Sequence, residues 1–169
     1  MQKALSSPAL WVGVGIGLLY LAIPKRMYSY GGPDFKGISR DPKLLVPAFA
    51  DRLELLFQNM REVGFDPQLH EGWRSPERAK DLSKTGAGID DSLHIYGGAA
   101  DIISASKGWS DPTFFKALGR EAKALGLTWG GDWKNVDSTH VQAVPVMLQA
   151  QFRALSPVQR QTVLVAQYA

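Results

Sequence analysis

Three histidines, His70, His94 and His140, and no cysteine bound the chemistry open to this 169-residue chain. Without thiols it has no thiolate nucleophile, no disulfide and no cysteine-ligated zinc. Two of the histidines lie in unusual surroundings. In Ser92-Leu93-His94-Ile95-Tyr96-Gly97-Gly98-Ala99-Ala100-Asp101 a histidine and an aspartate stand seven residues apart. A helix would put both on one face, but the paired glycines disfavour a continuous helix. On one straight strand an odd separation sends them to opposite faces. They reach a common ion only if the chain bends at the glycines and Asp101 rides on the strand that follows. The second surrounding is Trp129-Gly130-Gly131-Asp132-Trp133, followed by Asp137-Ser138-Thr139-His140. A carboxylate three residues before a histidine, in one tight turn, can lie near the same ion without binding it. Two imidazoles and one carboxylate leave a fourth position open, as catalytic zinc requires. A nearby carboxylate can then take a proton from water. Histidines more often cap, bridge or pack than bind metal, so spacing alone leaves the two readings equally open.

The elements that must position these groups are legible in outline. Leu45, Phe49, Leu53, Leu56, Phe57, Met60 and Val63 recur with a helical period that ends before Gly64. Residues 68–73 form a short candidate strand, and Ser75-Pro76-Glu77 opens a helix with Ser75 as its cap. Residues 85–91 read as a loop and 99–104 as a central strand. Asp111-Pro112 starts a helix to about Leu125 with Phe114, Phe115, Leu118 and Ala122 on one face. Residues 128–133 and 140–144 are short strand candidates around a polar turn. Ser156-Pro157 begins a last helix with Val158, Val163 and Leu164 to bury. Helices and short strands interleave without a regular βαβ period, which predicts an α+β fold.

The net charge of +3 carries no hint of nucleic acid once it is located. Residues 1–44 hold six basic and two acidic side chains, leaving 13 and 14 for residues 45–169, a net of −1 there. Duplex binding needs a clustered basic surface, which this part lacks. From Ala4 to Pro24 no residue is charged, and Lys25-Arg26 follow at once. A helix from Ala4 to Ile23 rises about 30 Å, enough to span a bilayer core. Residues 1–27 are therefore expected to be a membrane anchor, an uncleaved signal-anchor being favoured over a cleaved signal or a buried arm. Residues 28–44, rich in Gly and Pro, are expected to be a linker, and 45–169 the globular domain.

Three blocks, Ser92-x-His94-x-x-Gly97-x-Ala99-x-Asp101, Glu71-Gly72-Trp73-Arg74-Ser75-Pro76-Glu77-Arg78 and Trp129-Gly130-Gly131-Asp132-Trp133…His140, resemble the zinc D,D-carboxypeptidase and L-alanyl-D-glutamate peptidase family in order and spacing. The resemblance covers about residues 45–145. It implies a small α+β zinc peptidase domain of the D,D-peptidase/hedgehog type. It implies Zn²⁺ held by His94, Asp101 and His140, and Asp137 as the base that activates water, where many relatives have Glu. Arg74 matches the arginine that holds the substrate carbonyl or its developing oxyanion. Ser92 matches a serine that orients a ligand or the substrate, and Trp133 is a pocket candidate. Ala79 stands where relatives often have Gln, which leaves subsite shape open. The Trp-Gly-Gly-Asp-Trp form is most like the L-Ala-D-Glu endopeptidase branch, including phage endolysins. The implied partners are peptidoglycan stem peptides, with a membrane contacted through the N-terminal helix. The alternatives are D-Ala-D-Ala cleavage and a non-catalytic wall-binding component of an envelope or virion. The expected location is membrane-anchored, facing periplasm or wall, or within a virion. His70 is expected to pack or face solvent, Asp132 to form a turn, Asp90-Asp91 to be a solvated loop, and Trp73 and Trp129 to be core or pocket wall.

Overall fold

The computed structural model describes residues 37–169. The anchor expected over 1–27 and most of the expected linker lie outside them. Among the described residues no helix is long and apolar enough to cross a membrane.

The fold is α+β. Strands β1 (Ile38–Ser39), β2 (Pro67–Glu71), β3 (Trp73–Arg74), β4 (Ala99–Ser104), β5 (Thr128–Trp129) and β6 (His140–Gln142) form two antiparallel sheets. One has the order β2-β4-β6-β5; the other is the pair β1-β3. Helices α1 (Pro47–Glu62), α2 (Pro76–Lys84), α3 (Pro112–Ala124), α4 (Gln149–Ala154) and α5 (Pro157–Tyr168) complete the described chain. The helical period of α1 buries Phe49, Leu53, Leu56, Phe57 and Met60, while Val63 stays exposed past the helix end. Helix α3 buries Phe114, Phe115, Leu118 and Ala122 against the same core. Its cap is Asp111, whose carboxylate accepts from the amides of Thr113 and Phe114 at 3.2 and 3.1 Å.

The large sheet has two unlike faces because successive strand residues point opposite ways. Leu69, Ala100, Ile102 and Val141 enter the core. Glu71, Asp101 and His140 stand in one row across β2, β4 and β6, since Glu71 pairs with Asp101 and Asp101 with His140. The β2–β4 ladder shifts between Leu69 and Glu71, a bulge that gives β2 one residue more than its partner. The bulge lets Leu69 stay in the core while both His70 and Glu71 line the cleft beyond the sheet.

Several expectations need correction. The strand expected over 68–73 is two strands in different sheets, broken at Gly72, whose amide bonds Ser39 O at 2.9 Å. The strand expected over 128–133 stops at Trp129 and becomes a 3-10 turn, Gly130–Asp132. A Cβ on Gly130 would lie 2.5 Å from Asp137 O, so this turn needs a glycine there. Residues 38–44, read as linker, form β1 and a 3-10 turn (Pro42–Leu44) capped by Asp41. Helix α5 starts at Ser156-Pro157 in a capping box, as the residues suggest. It buries Leu164 but leaves Val158 and Val163 exposed.

The end of β4 is fastened by Asp66, which accepts from Ser104 Oγ at 2.7 Å and Ser106 N at 2.8 Å. These hydrogen bonds from Ser106 and Ser104 outweigh partial burial and lower the Asp66 pKa below its ordinary 3.8. A carboxyl depressed on folding stabilises above its unfolded pKa and loses that contribution as pH falls through its folded value. Asp66→Ala should therefore cost about 1 kcal/mol at pH 7. The gap from wild type should close below pH 3.8, as read by urea melts at several pH values.

Candidate metal and catalytic site

Gly97 turns the chain out of a 3-10 helix, Leu93–Tyr96, with φ 67° and ψ 23°, and β4 begins two residues later. The bend expected at the glycines is present, but His94 sits on this short helix and not on a strand. Ser92 caps the helix, its Oγ accepting from His94 N at 3.4 Å. A Cβ on Gly97 would meet Leu44 O at 2.6 Å and Leu45 Cα at 2.9 Å, and one on Gly98 would meet the Phe152 ring at 2.6 Å. The turn is thus wedged between the approach to α1 and helix α4, which aims His94 over the sheet row at Asp101 and His140.

Three donor atoms converge there, all within 4.8 Å of one another. His94 Nε2 is 3.4 Å from His140 Nδ1 and 3.5 Å from Asp101 Oδ1, and His140 Nδ1 is 3.1 Å from the same oxygen. Donors about 2.0–2.2 Å from a tetrahedral zinc stand roughly 3.3–3.5 Å apart, so the set fits that ion. Hydrogen bonds on the far side of each ring agree. His94 Nδ1 donates to Gly72 O at 2.7 Å, leaving Nε2 bare. His140 Nε2 donates to Gln142 Oε1 at 3.2 Å, leaving Nδ1 bare. Two bare nitrogens and a carboxylate aimed at one point repel each other unless a cation sits between them.

Where no metal ion bridges these groups a proton takes its place: burial disfavours charge on both His94 and Asp101, and their attraction overrides it. His94 is buried, yet the Asp101 carboxylate raises its pKa above the usual histidine value. Burial likewise opposes ionised Asp101, but His94 and hydrogen bonds from His140 and His94 hold it well below the usual carboxylate range. Arg74 Nε donates to buried Glu71 Oε1, and its Nη2 lies 3.6 Å from Asp101 Oδ2. The guanidinium braces the ligand carboxylate, and its remaining N–H groups are those available to a substrate oxygen.

Asp101 and His140 line a cleft of about 750 Å³ together with Arg74, Arg78, Ser92, Trp133, Asp137 and Gln142, while His94 is buried. Asp137 is exposed, and its Oδ1 accepts from Thr139 Oγ1 at 3.0 Å. The Trp133 ring centroid is 4.9 Å from that of His140. His70 lines the cleft too, edge-on to Trp109 at 4.9 Å, apart from the ligand group. Asp132 pairs with Lys123 at 2.8 Å, and Asp91 with Arg153 at 2.7 Å and with the Tyr96 hydroxyl at 2.7 Å. Trp129 packs on the core with its Nε1 bonded to Ser138 O at 2.8 Å, and Trp73 Nε1 bonds Ile95 O at 3.1 Å.

Gln142 is the group that sequence reasoning missed. Its Nε2 donates to Val144 O at 2.5 Å, so its Oε1 is presented to His140, and Gln149 Nε2 donates to that same oxygen at 2.9 Å. Two residues beyond His140 on a strand, it shares that histidine's face, a clue present in the spacing. Gln142→Leu should weaken zinc binding by about 10–100-fold while leaving the fold intact, measured by competition with a chromogenic chelator.

The segment 85–143, which holds His94, Asp101, Asp137 and His140, matches the family model described as D-alanyl-D-alanine carboxypeptidase. That segment is similar to this family of metallopeptidases, and His94, Asp101 and His140 within it form a candidate zinc site. The crystal structure of the Serratia marcescens L-Ala D-Glu endopeptidase ChiX is similar at 24% identity and a TM-score of 0.51, over 60% of this chain and 82% of that one. The LdcB LD-carboxypeptidase matches at 19% identity and a TM-score of 0.49, over 82% of this chain and 75% of that one. DacB from Streptococcus pneumoniae D39 matches at 20% and 0.43, over 73% and 80%. Among curated proteins none matches the chain.

Proposed function

We propose that the protein is a zinc-dependent peptidase of peptidoglycan stem peptides that cleaves between L-Ala and D-Glu. The observation that carries the reading is the convergence of His94 Nε2, Asp101 Oδ1 and His140 Nδ1, two of whose residues, Asp101 and His140, line a large cleft. Zinc held there supplies Lewis acidity and makes water acidic enough to attack near neutral pH. Asp137, in the same cleft, takes the proton of the attacking water and returns it to the leaving amine. Arg74 offers N–H groups to the carbonyl oxygen as negative charge develops on it. Ser92 holds His94 in place through the cap, and Trp133 walls the cleft beside His140.

The bond assignment rests on the Trp129-Gly130-Gly131-Asp132-Trp133 block, and the Serratia neighbour named an L-Ala D-Glu endopeptidase shares the fold. The description of the matched family favours a second reading, removal of a terminal D-Ala. Mass spectrometry of stem pentapeptides after digestion separates the two, since one releases L-Ala and the other D-Ala. Hydrolysis that persists after EDTA treatment overturns both. The uncharged stretch from Ala4 to Pro24 supports attachment of this peptidase to the wall side of a membrane, in a periplasm or a virion. Recovery of the full chain in the soluble fraction at low salt without detergent overturns that attachment.

A further inference from the structure

Two side chains on the cleft wall carry a buried nitrogen donor with no hydrogen-bond partner among the described residues: Arg78 Nε and Trp133 Nε1. A buried donor left unpaired is costly, so a cleft wall that keeps two of them favours an acceptor that arrives with the ligand. Arg78 is the more telling. Its neighbour in the same motif, Arg74, is already ion-paired with Glu71 and Asp101. No acidic group lies within 4.0 Å of the Arg78 guanidinium among the described residues, although Glu71, Asp101 and Asp137 line the same cleft. The position is fixed from below. Arg78 lies in the first turn of α2, its amide donates to Ser75 Oγ at 3.2 Å, and a Cβ on Gly37 would come within 3.1 Å of Arg78 Cβ.

We propose that Arg78 is a substrate-binding residue that docks a free carboxylate of the peptide near the scissile bond. The inference rests on the peptidase reading and deepens it. A planar guanidinium matches a carboxylate in a forked pair that an amide cannot replace. A stem peptide offers that group from two sources. Glutamate continues the chain through one of its carboxyls and keeps the other free, and the peptide ends in a terminal carboxylate.

The test uses the full-length, zinc-loaded Asp137→Ala chain, so that the peptide stays intact, and titrates it by calorimetry with three stem pentapeptides. One has both carboxylates free, one carries a carboxamide on glutamate and one a terminal amide. One of the two amidations should weaken binding about tenfold, which identifies the source. Adding Arg78→Gln should weaken binding of the free peptide by a similar factor and abolish the effect of that amidation. Arg78→Lys, which keeps the charge without the fork, should recover part of it. In the wild-type background Arg78→Gln should raise KM and leave kcat and zinc content near their starting values.

An amidation penalty as large in Arg78→Gln as in its parent overturns the proposal, as does the lack of any penalty in the parent. Those results would leave zinc-dependent hydrolysis by the wild type untouched. A protein that prefers the free carboxylate through Arg78 yet hydrolyses neither bond overturns the peptidase reading and leaves the carboxylate dock standing.

Discussion

Asp137→Ala is expected to keep one zinc per chain, measured by atomic absorption, and to lose about 10³-fold in kcat. His94→Ala should lose both zinc and activity. The contrast follows from where the two groups sit. His94 is buried, its Nδ1 spent on Gly72 O and its Nε2 aimed at Asp101 and His140. Removing it takes one of three donors from the ion and leaves Asp101 facing Arg74 and a single imidazole. Asp137 is exposed on the cleft wall, outside the converging trio, and its side chain accepts from Thr139 Oγ1 at 3.0 Å. Its removal leaves the ligand atoms and their bracing unchanged while deleting the proton acceptor. If Asp137→Ala also lost its zinc, the carboxylate would be acting as a ligand and the division of roles drawn here would fall.

The second large effect lies in the backbone. Gly97→Ala is expected to cost about 2–5 kcal/mol of stability, enough to unfold a marginal domain. Part of that is the left-handed conformation at φ 67°, which a Cβ disfavours by roughly 1–2 kcal/mol. The remainder is collision with backbone, Leu44 O at 2.6 Å, Leu45 Cα at 2.9 Å and Val46 N at 3.0 Å, where no flexible side-chain tip can swing away. Gly97 O also accepts from Val46 N at 2.9 Å, so displacement of the turn disturbs the start of α1. Thermal melts of the metal-free chain measure the loss. Gly64→Ala is the control, because it has positive φ but no atom within 4 Å of the added Cβ. A loss at Gly97 no larger than at Gly64 would mean that the crowding is relieved by small shifts.

What could be read from the sequence followed the physics that local pattern encodes. The periods of α1 and α3 mark their buried faces, and Ser-Pro pairs mark the starts of α2 and α5, because capping depends on a few adjacent residues. The paired glycines told of a bend between His94 and Asp101, although the short helix bearing His94 was not foreseen. The register of β4 against β6, which sets Asp101 opposite His140, depends on pairing across 39 residues and leaves no local trace. The break at Gly72 was hidden for a related reason, since it answers to Ser39 from another sheet. Helix α4 went unread because it is six residues long and buries only Phe152. Val158 and Val163 were placed inside by hydrophobicity alone, but α5 offers the core a narrow stripe through Leu164.

The surplus residue in β2 has a consequence for how this scaffold can vary. A strand of regular pleat must choose which of two neighbours it turns outward. This one presents both, so the brace for the guanidinium and the aromatic contact at the rim occupy adjacent positions. The rim can therefore be rebuilt at His70, in size or polarity, without unseating Glu71 from its place beside Arg74. Tuning of what the enzyme accepts is thereby uncoupled from upkeep of the metal centre.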